Sequence, residues 1–135
     1  MSVKSFVDSN IILYTFFEES AKKISAEKLL DSGNFIISSQ VVGEVCNNLK
    51  KKGRFTPDEL AQVLKGLYEN FHVMMVTQSI YEISVNLQKR FNFSFWDSVI
   101  VASALESDCE VLYSEDMQNE LRIDNLKIVN PLFKQ

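Results

Sequence analysis

Four acidic residues occupy positions at which carboxylates could gather around a divalent cation. Asp8 directly follows a short apolar segment that predicts a buried strand, and Asp116 closely follows another such segment. Glu44 lies in the helix predicted after a second strand, and Asp97 lies in the first turn of an apolar helix. Because ligands bind beyond the carboxyl ends of parallel strands, we expect the four side chains to converge at that edge of the sheet.

The residue types in this set determine which chemistry they favour. Carboxylates that face one another repel strongly unless a cation or a proton lies between them. A ligand set made of oxygen atoms alone favours Mg²⁺ or Mn²⁺ over zinc. A hard cation held by carboxylates and water can activate a water molecule for phosphodiester hydrolysis. The four acids therefore predict a metal-dependent hydrolase.

Each acid also has an ordinary structural interpretation. Asp8 and Asn10 form an Asp-x-Asn pair of the kind that stabilises turns, and Glu44 taken alone resembles a solvated helix residue. Asp97 occupies a helix N-terminus, where the macrodipole favours a negative charge. Asp116 could be a loop acid or a helix cap. Only the combination of the four favours a functional site.

Apolar segments separated by helical patterns predict the elements that position these acids. Ser38 and Ser39 supply a helix N-cap, residues 56–59 have the sequence of a capping box, and Ser94 begins a helix that is apolar on nearly every side. We expect an α/β domain with a mostly parallel sheet. The first predicted strand ends at residue 7, and the other predicted strands cover 35–37, 72–76, 111–113 and 126–129. The predicted helices cover 11–17, 20–30, 39–52, 57–70, 80–90 and 95–105.

Composition limits the class of protein. The chain has 135 residues, of which 46% are hydrophobic, so we expect a single domain over residues 1–135. No apolar run approaches the length that spans a bilayer, and Asp8 interrupts the N-terminal one, so we expect a cytoplasmic protein that is not inserted in a membrane. Cys46 and Cys109 lack the spacing of a zinc or redox site and are expected to be buried, reduced thiols.

Charge and aromatic residues bear on the substrate. The net charge of −4 argues mildly against nucleic acid, but without the four acids the remaining 14 acids would balance the 14 bases. The basic residues near the end of the Glu44 helix could contact phosphates or merely complement the helix dipole; they are Lys50, Lys51, Lys52 and Arg54. Phe91, Phe93, Phe95 and Trp96 could stack on bases, but we expect them to pack in the core. Phe95, Trp96 and the apolar helix body that follows are expected to leave Asp97 poorly solvated. The only histidine, His72, is expected to be structural.

Four motifs in this order and spacing resemble the PIN-domain family, most of all the VapC-type toxin ribonucleases of bacterial toxin–antitoxin pairs. The similarity extends over nearly the whole chain, to Asn130 and Pro131. The motifs are the Asp8-x-Asn10 pair and residues 38–44, 95–104 and 112–118.

The resemblance implies a three-layer α/β fold, with a five-stranded parallel sheet between helices, and a Mg²⁺- or Mn²⁺-dependent endoribonuclease. It implies that the metal ligands and catalytic residues are Asp8, Glu44, Asp97 and Asp116. Asn10 and Ser114 match the residues that support such a site. The expected partners are an RNA substrate, a second copy of the chain in a homodimer, and a small antitoxin whose C-terminal segment enters the site.

The chain departs from the family pattern at two places. Some members carry a further acid shortly after the position of Asp116, where this chain has Gln118 and Asn119. That difference bears on whether a second metal ion binds without substrate. Related sequences often have glycine at the position of Glu120, which we expect to lie in a loop.

Three other functions compete with this interpretation. A haloacid-dehalogenase-like phosphohydrolase would need a second aspartate at the position of Asn10, and a suitable lysine. A signalling receiver module would need an aspartate after the third strand, where Thr77 and Gln78 stand. The third alternative is a catalytically silent PIN-like domain that only binds a partner, which the presence of all four acids disfavours.

Overall fold

The computed structural model describes residues 3–17 and 20–132, which form alternating strands and helices. The six strands are β1 (Ser5–Val7), β2 (Ile36–Ser38), β3 (His72–Met74), β4 (Val111–Tyr113), β5 (Arg122–Ile123) and β6 (Leu126–Val129). The six helices are α1 (Ser9–Leu13), α2 (Ala21–Asp31), α3 (Ser39–Lys51), α4 (Pro57–Asn70), α5 (Gln78–Arg90) and α6 (Phe95–Glu106). The predicted α/β fold, with a mostly parallel sheet flanked by helices, is confirmed.

The sheet has the strand order β3-β2-β1-β4-β6-β5, and every neighbouring pair except the last is parallel. The chain first adds strands on one side of β1 and then on the other, so the direction of winding reverses between β1 and β4. In open α/β sheets, that reversal opens a crevice at the carboxyl ends of the two strands. Asp8 directly follows one of these strands.

The prediction of five parallel strands missed β5, which pairs antiparallel with β6. Ile123 is opposite Leu126, so Asp124 and Asn125 form a two-residue hairpin loop, with Asp124 in the left-handed region at φ 55°. Two polar turn-forming residues between short strands are a hairpin signal. A strand of two residues is too short to show an alternating pattern, which explains why the sequence did not reveal it.

Helix α6 is buried along its whole central part, as its composition predicted. Every residue from 98 to 104 is buried. Its buried serines are satisfied internally, because Ser103 Oγ donates to the Val99 carbonyl at 2.8 Å and Ser98 Oγ donates to the Phe95 carbonyl. Because residues 98–104 pack in the core, they fix the position of the first turn of α6, which carries Asp97.

The local signals at helix ends are confirmed in three places. Ser38 and Ser94 are N-caps, and Thr56 and Glu59 form the predicted capping box at the start of α4. Helix α1 was predicted to reach Phe17, but it ends at Leu13 and continues in turns.

The sequence of residues 20–30 predicts a helix that turns Ala21, Ile24, Leu29 and Leu30 inward, but of these four only Leu29 and Leu30 pack against the core. Ala26 is the residue of this helix that is buried, whereas Ile24 is 60% exposed. The apolar residues of α2 are too unevenly spaced to define one face, so the helix presents little of its surface to the core.

Two further sequence expectations concern membranes and thiols. Within the part of the chain that the structure describes, no helix has both the length and the apolar character needed to cross a bilayer. Cys46 and Cys109 are both free thiols; Cys109 is buried as predicted, whereas Cys46 is only partly buried.

Candidate active site

Strand register brings Asp8 next to Ser114. Phe6 and Val7 pair with Leu112 and Tyr113 of the parallel strand β4, and the Asp8 amide donates to the Tyr113 carbonyl at 2.9 Å. One residue further along, Ser114 Oγ donates to Asp8 Oδ2 at 2.8 Å. The Asp8 carboxylate at the end of β1 is therefore held by Ser114, which follows β4 and lies 106 residues away in the sequence.

The Asp8 carboxylate is nearly inaccessible to solvent. Only 5% of the residue is exposed, and its other oxygen accepts a hydrogen bond from the Ser9 amide at 2.7 Å. Burial raises the pKa of Asp8 from 3.8 to about 7, and the negative charges of Glu44 and Asp97 add to this effect; hydrogen bonds from Ser114 and Ser9 oppose it. The surroundings thus disfavour the charged form unless positive charge is nearby.

Glu44 is held over this corner by two hydrogen bonds. Its Oε1 accepts from Ser9 Oγ at 3.1 Å, and its Oε2 accepts from Gln40 Nε2 at 3.3 Å. Since Ser9 also donates its amide hydrogen to Asp8, one residue contacts both carboxylates. Glu44 therefore faces the site and is not the solvated helix residue of the alternative interpretation.

Asp97 and Asp116 complete the acidic edge from the other side. The pKa of Asp97 is raised by partial burial and by the nearby charge of Asp116, although a hydrogen bond with Ser94 opposes this. Asp116 Oδ2 accepts from Asn10 Nδ2 at 3.0 Å. The charge of Asp116 thus raises the pKa of Asp97, and the charges of Asp97 and Glu44 raise the pKa of Asp8. All four acids therefore interact electrostatically.

Asn10 joins α1 to the loop after β4 through both ends of its amide. Besides donating to Asp116, it accepts from the Glu115 amide at 3.3 Å. The Glu115 side chain accepts from Tyr14 and pairs with Lys22 Nζ at 2.9 Å. Asn10, which was predicted to be a supporting residue, thus contacts the loop that carries Asp116. Through Glu115 it is also connected to a second polar group, of Tyr14, Lys22 and Glu115, that the sequence did not indicate.

The four predicted ligands, including the buried Asp8, are all carboxylates, and their oxygen atoms suit a hard cation. Among residues 3–17 and 20–132, no three Asp, Glu, His or Cys side chains are grouped closely enough to hold a metal ion as they stand. Mg²⁺ in proteins commonly uses one or two carboxylates and keeps several waters. The geometry therefore fits a cation bound partly through water better than a closed cage of four direct ligands.

Clefts lie on both sides of the acidic edge. Asp97 and Asp116 line one of about 340 Å³, together with Ser94 and Gln118. Asn10 shares a second cleft, of about 360 Å³, with Tyr14, Asn48 and Lys52. Of the four predicted basic residues, Lys52 is therefore placed beside the site, whereas Lys50, Lys51 and Arg54 are exposed and line neither cleft. Larger clefts, of about 740 and 620 Å³, involve the amino ends of the strands, away from the acids.

The aromatic residues beside Asp97 do not pack as predicted. Phe95 and Trp96 are 43% and 53% exposed, whereas Phe91 and Phe93 are partly buried. The Phe95 ring is nearly parallel to the Tyr81 ring, with centroids 6.2 Å apart, and meets Trp96 edge-on. Phe95 and Trp96 begin α6, and this first turn extends beyond the part of the helix that the core covers. The site therefore has exposed aromatic rings at its rim.

The four acids, Asn10 and Ser114 therefore lie at the expected edge of the sheet, whereas Lys52 is the one predicted basic residue that lines a cleft there. Three residues that contact this set were missed. Ser9, Gln40 and Glu115 each hydrogen-bond to a predicted site residue. Ser9 and Glu115 stand next to predicted residues, and Gln40 is one helical turn before Glu44, so spacing could have indicated Gln40. The contact between Ser9 and Glu44 spans 35 residues and depends on the tertiary fold.

The fold and the site define an α/β domain with an acidic group at the carboxyl edge of a mostly parallel sheet. Residues 5–122 match the sequence profile of the PIN domain, and the chain belongs to the PIN domain family. The resemblance inferred from the four motifs is thereby confirmed at the level of the family.

Solved structures with the same fold include toxin–antitoxin proteins. A toxin–antitoxin complex from Klebsiella pneumoniae is similar with a TM-score of 0.73 at 22% identity, covering 95% of this chain and 98% of that chain. The sarcin-ricin loop cleaving toxin VapC20 from Mycobacterium tuberculosis has a TM-score of 0.70 at 21% identity, with coverages of 84% and 90%. DNA-bound VapBC from Salmonella typhimurium has a TM-score of 0.69 at 17% identity, with coverages of 94% and 97%. A search of curated protein sequences finds no significant match.

Proposed function

We propose that this protein is a Mg²⁺- or Mn²⁺-dependent endoribonuclease. The observation that supports this most strongly is the buried Asp8, linked to Glu44 through Ser9 and exposed to the charge of Asp97. An acid in such a place is costly for a protein that has no use for it. Membership of the PIN domain family and the fold shared with a sarcin-ricin loop cleaving toxin support the same reaction.

In the proposed mechanism, Asp8, Asp97 and Asp116 would hold the metal ion, directly or through water, and Glu44 would either contribute a further ligand or orient the attacking water. A bound divalent cation would activate that water and offset the charge that develops on the phosphate. Ser114 fixes the plane of the Asp8 carboxylate, and Asn10 holds Asp116. The chain itself thus supplies the orientation of the ligands.

The surroundings of the site suit a single-stranded substrate. Trp96 and Phe95 offer exposed rings next to Asp97, and unpaired bases stack on such rings. Lys52 offers a positive charge in the cleft beside Asn10, and Lys50, Lys51 and Arg54 lie nearby in sequence. Since the net charge of −4 gives no general attraction for phosphates, we expect contacts to be confined to the rim of the site.

We further propose that the protein is the toxin of a toxin–antitoxin pair, active in the cytoplasm as a homodimer and inhibited by an antitoxin. Structures of the same fold include a toxin–antitoxin complex and a DNA-bound VapBC, which support an antitoxin partner. Co-purification of the chain with the product of a neighbouring small gene would test the partner. Sedimentation velocity of the chain alone would test the dimer.

RNA cleavage can be tested with purified protein and a single-stranded RNA, with Mg²⁺, Mn²⁺ or EDTA. We expect cleavage with either metal ion and none with EDTA. Asp97→Asn, prepared in the same way, should lose cleavage, whereas Asp31→Asn, which alters an exposed acid of α2, should keep it.

Cleavage that survives 2′-O-methylation of the scissile nucleotide would support attack by water. No cleavage of any RNA, or equal cleavage by Asp97→Asn, would contradict the proposal. Release of phosphate from a phosphomonoester would instead favour a phosphohydrolase.

A further inference from the structure

Gln40 lies between two of the acids and connects the helices that carry them. Its Nε2 donates to Glu44 Oε2 at 3.3 Å and to the Trp96 carbonyl at 3.3 Å. Trp96 directly precedes Asp97 in the first turn of α6. One amide group therefore links the carboxylate on α3 to the backbone turn that presents Asp97.

The surroundings allow the Gln40 amide only one orientation. Both groups that contact Nε2 are acceptors, so exchanging the amide nitrogen and oxygen would place one oxygen against two others. In the orientation observed, Gln40 Oε1 is buried and has no hydrogen-bond partner among the described residues. A buried acceptor without a partner destabilises the fold, and its presence in a native protein calls for an explanation.

A functional role for Gln40 explains why the chain tolerates this cost. The Glu44 carboxylate would be held at one oxygen only if Ser9 acted alone, and it could then rotate about that contact. Gln40 holds the second oxygen from one helical turn earlier on the same face of α3. The two contacts together fix the plane of the carboxylate.

We infer that Gln40 is a positioning residue, which holds the Glu44 carboxylate in the plane required for the reaction and keeps it in register with Asp97. This inference rests on the proposed nuclease function. Gln40 itself donates both amide hydrogens to protein groups, so we assign it no contact with the substrate. Hydrogen-bonding partners of ligating groups commonly change metal affinity or activity by about 10- to 100-fold when they are removed.

The variant Gln40→Met separates positioning from simple stabilisation. Methionine is similar in length to glutamine, and it removes both hydrogen bonds together with the unpartnered oxygen. We expect kcat to fall by about tenfold with KM within about twofold, because the substituted group positions Glu44 and does not bind RNA. We expect Tm to stay within about 3 °C or to rise, since the loss of two hydrogen bonds is offset by removal of the buried acceptor.

Gln88 provides the matched control. Like Gln40, it uses its Nε2 as donor in two hydrogen bonds, but both of its acceptors are backbone carbonyls at the start of α6, those of Phe93 and Ser94, at 2.7 and 3.4 Å, and neither is a carboxylate. Gln88→Met therefore removes a comparable amide bridge to the same helix. We expect it to keep kcat within about twofold of the wild type.

The measurements are single-turnover and steady-state RNA cleavage, thermal unfolding in EDTA, and calorimetric titration with Mn²⁺, each on the full chain. A lower kcat with unchanged Tm in Gln40→Met, and weaker Mn²⁺ binding, would support the inference. Equal kcat in Gln40→Met and the wild type would overturn it and leave the nuclease proposal intact. A parallel fall of Tm and kcat in both glutamine variants would also overturn it, since that indicates a structural role. A wild-type chain that binds Mn²⁺ but cleaves no RNA would contradict the nuclease proposal and, with it, the inference that rests on it.

Discussion

The charge of Asp8 should make the metal-free protein less stable as the pH rises. The pKa of Asp8 is about 7 in the folded chain against 3.8 for an unperturbed carboxyl, so the folded state binds the proton more tightly. The stabilising contribution of the protonated group is complete below pH 3.8 and is lost as the pH rises through 7. At about 1.4 kcal/mol per pKa unit, the full loss is about 4 kcal/mol.

Asp8→Asn should remove this dependence. Asparagine cannot ionise, and its amide can accept from the Ser9 backbone and donate to Ser114 Oγ after the hydroxyl rotates. Between pH 5 and pH 8.5 the wild type should lose about 3 kcal/mol relative to Asp8→Asn, since most of the titration lies in that interval. The comparison cancels the other titrating groups, which both proteins share.

Urea unfolding of both proteins in EDTA, followed by circular dichroism at several pH values, would measure the difference. Asp31→Asn serves as the control, because it removes an exposed carboxylate in α2. Its stability relative to the wild type should change by less than about 0.5 kcal/mol over the same interval. Parallel curves for the wild type and Asp8→Asn would refute the reasoning, because they would show that the folded protein accommodates the Asp8 charge without cost.

Four further predictions concern metal, substrate and backbone. Saturating Mg²⁺ or Mn²⁺ should stabilise the wild type by about 1–3 kcal/mol but stabilise Asp8→Asn much less, as thermal unfolding would show. Asp97→Asn should abolish RNA cleavage while keeping Tm within about 5 °C, because that side chain is only half-buried. Trp96→Leu should weaken binding of single-stranded RNA about tenfold by fluorescence anisotropy, and equal affinity would exclude stacking. Glu120→Gly should be about 1 kcal/mol more stable than Glu120→Gln, since both lose the ion pair with Lys127 but only glycine relieves the φ of 72°; equal stability would refute this.

The sequence was sufficient for those parts of the fold that depend on local chemistry. The caps at Ser38, Thr56 and Ser94 depend on contacts between residues three apart, so their spacing is visible in the chain. The buried helix α6 was evident because its apolar residues surround the whole axis. The short strand β5 was not predicted and the inward face of α2 was predicted only in part, because neither has enough patterned residues.

The sequence also provided the four acids and the family, since Asp8 and Asp116 follow predictable strands, and Glu44 and Asp97 lie within predictable helices. Their roles as metal ligands stay a prediction. Only the tertiary structure decided which acid each supporting residue contacts, because Ser114 and Asp8 are 106 residues apart and meet through the register of β1 and β4. It also decided exposure: the rings of Phe95 and Trp96 are as apolar as core residues, but the first turn of α6 projects beyond the core and leaves them at the rim of the site.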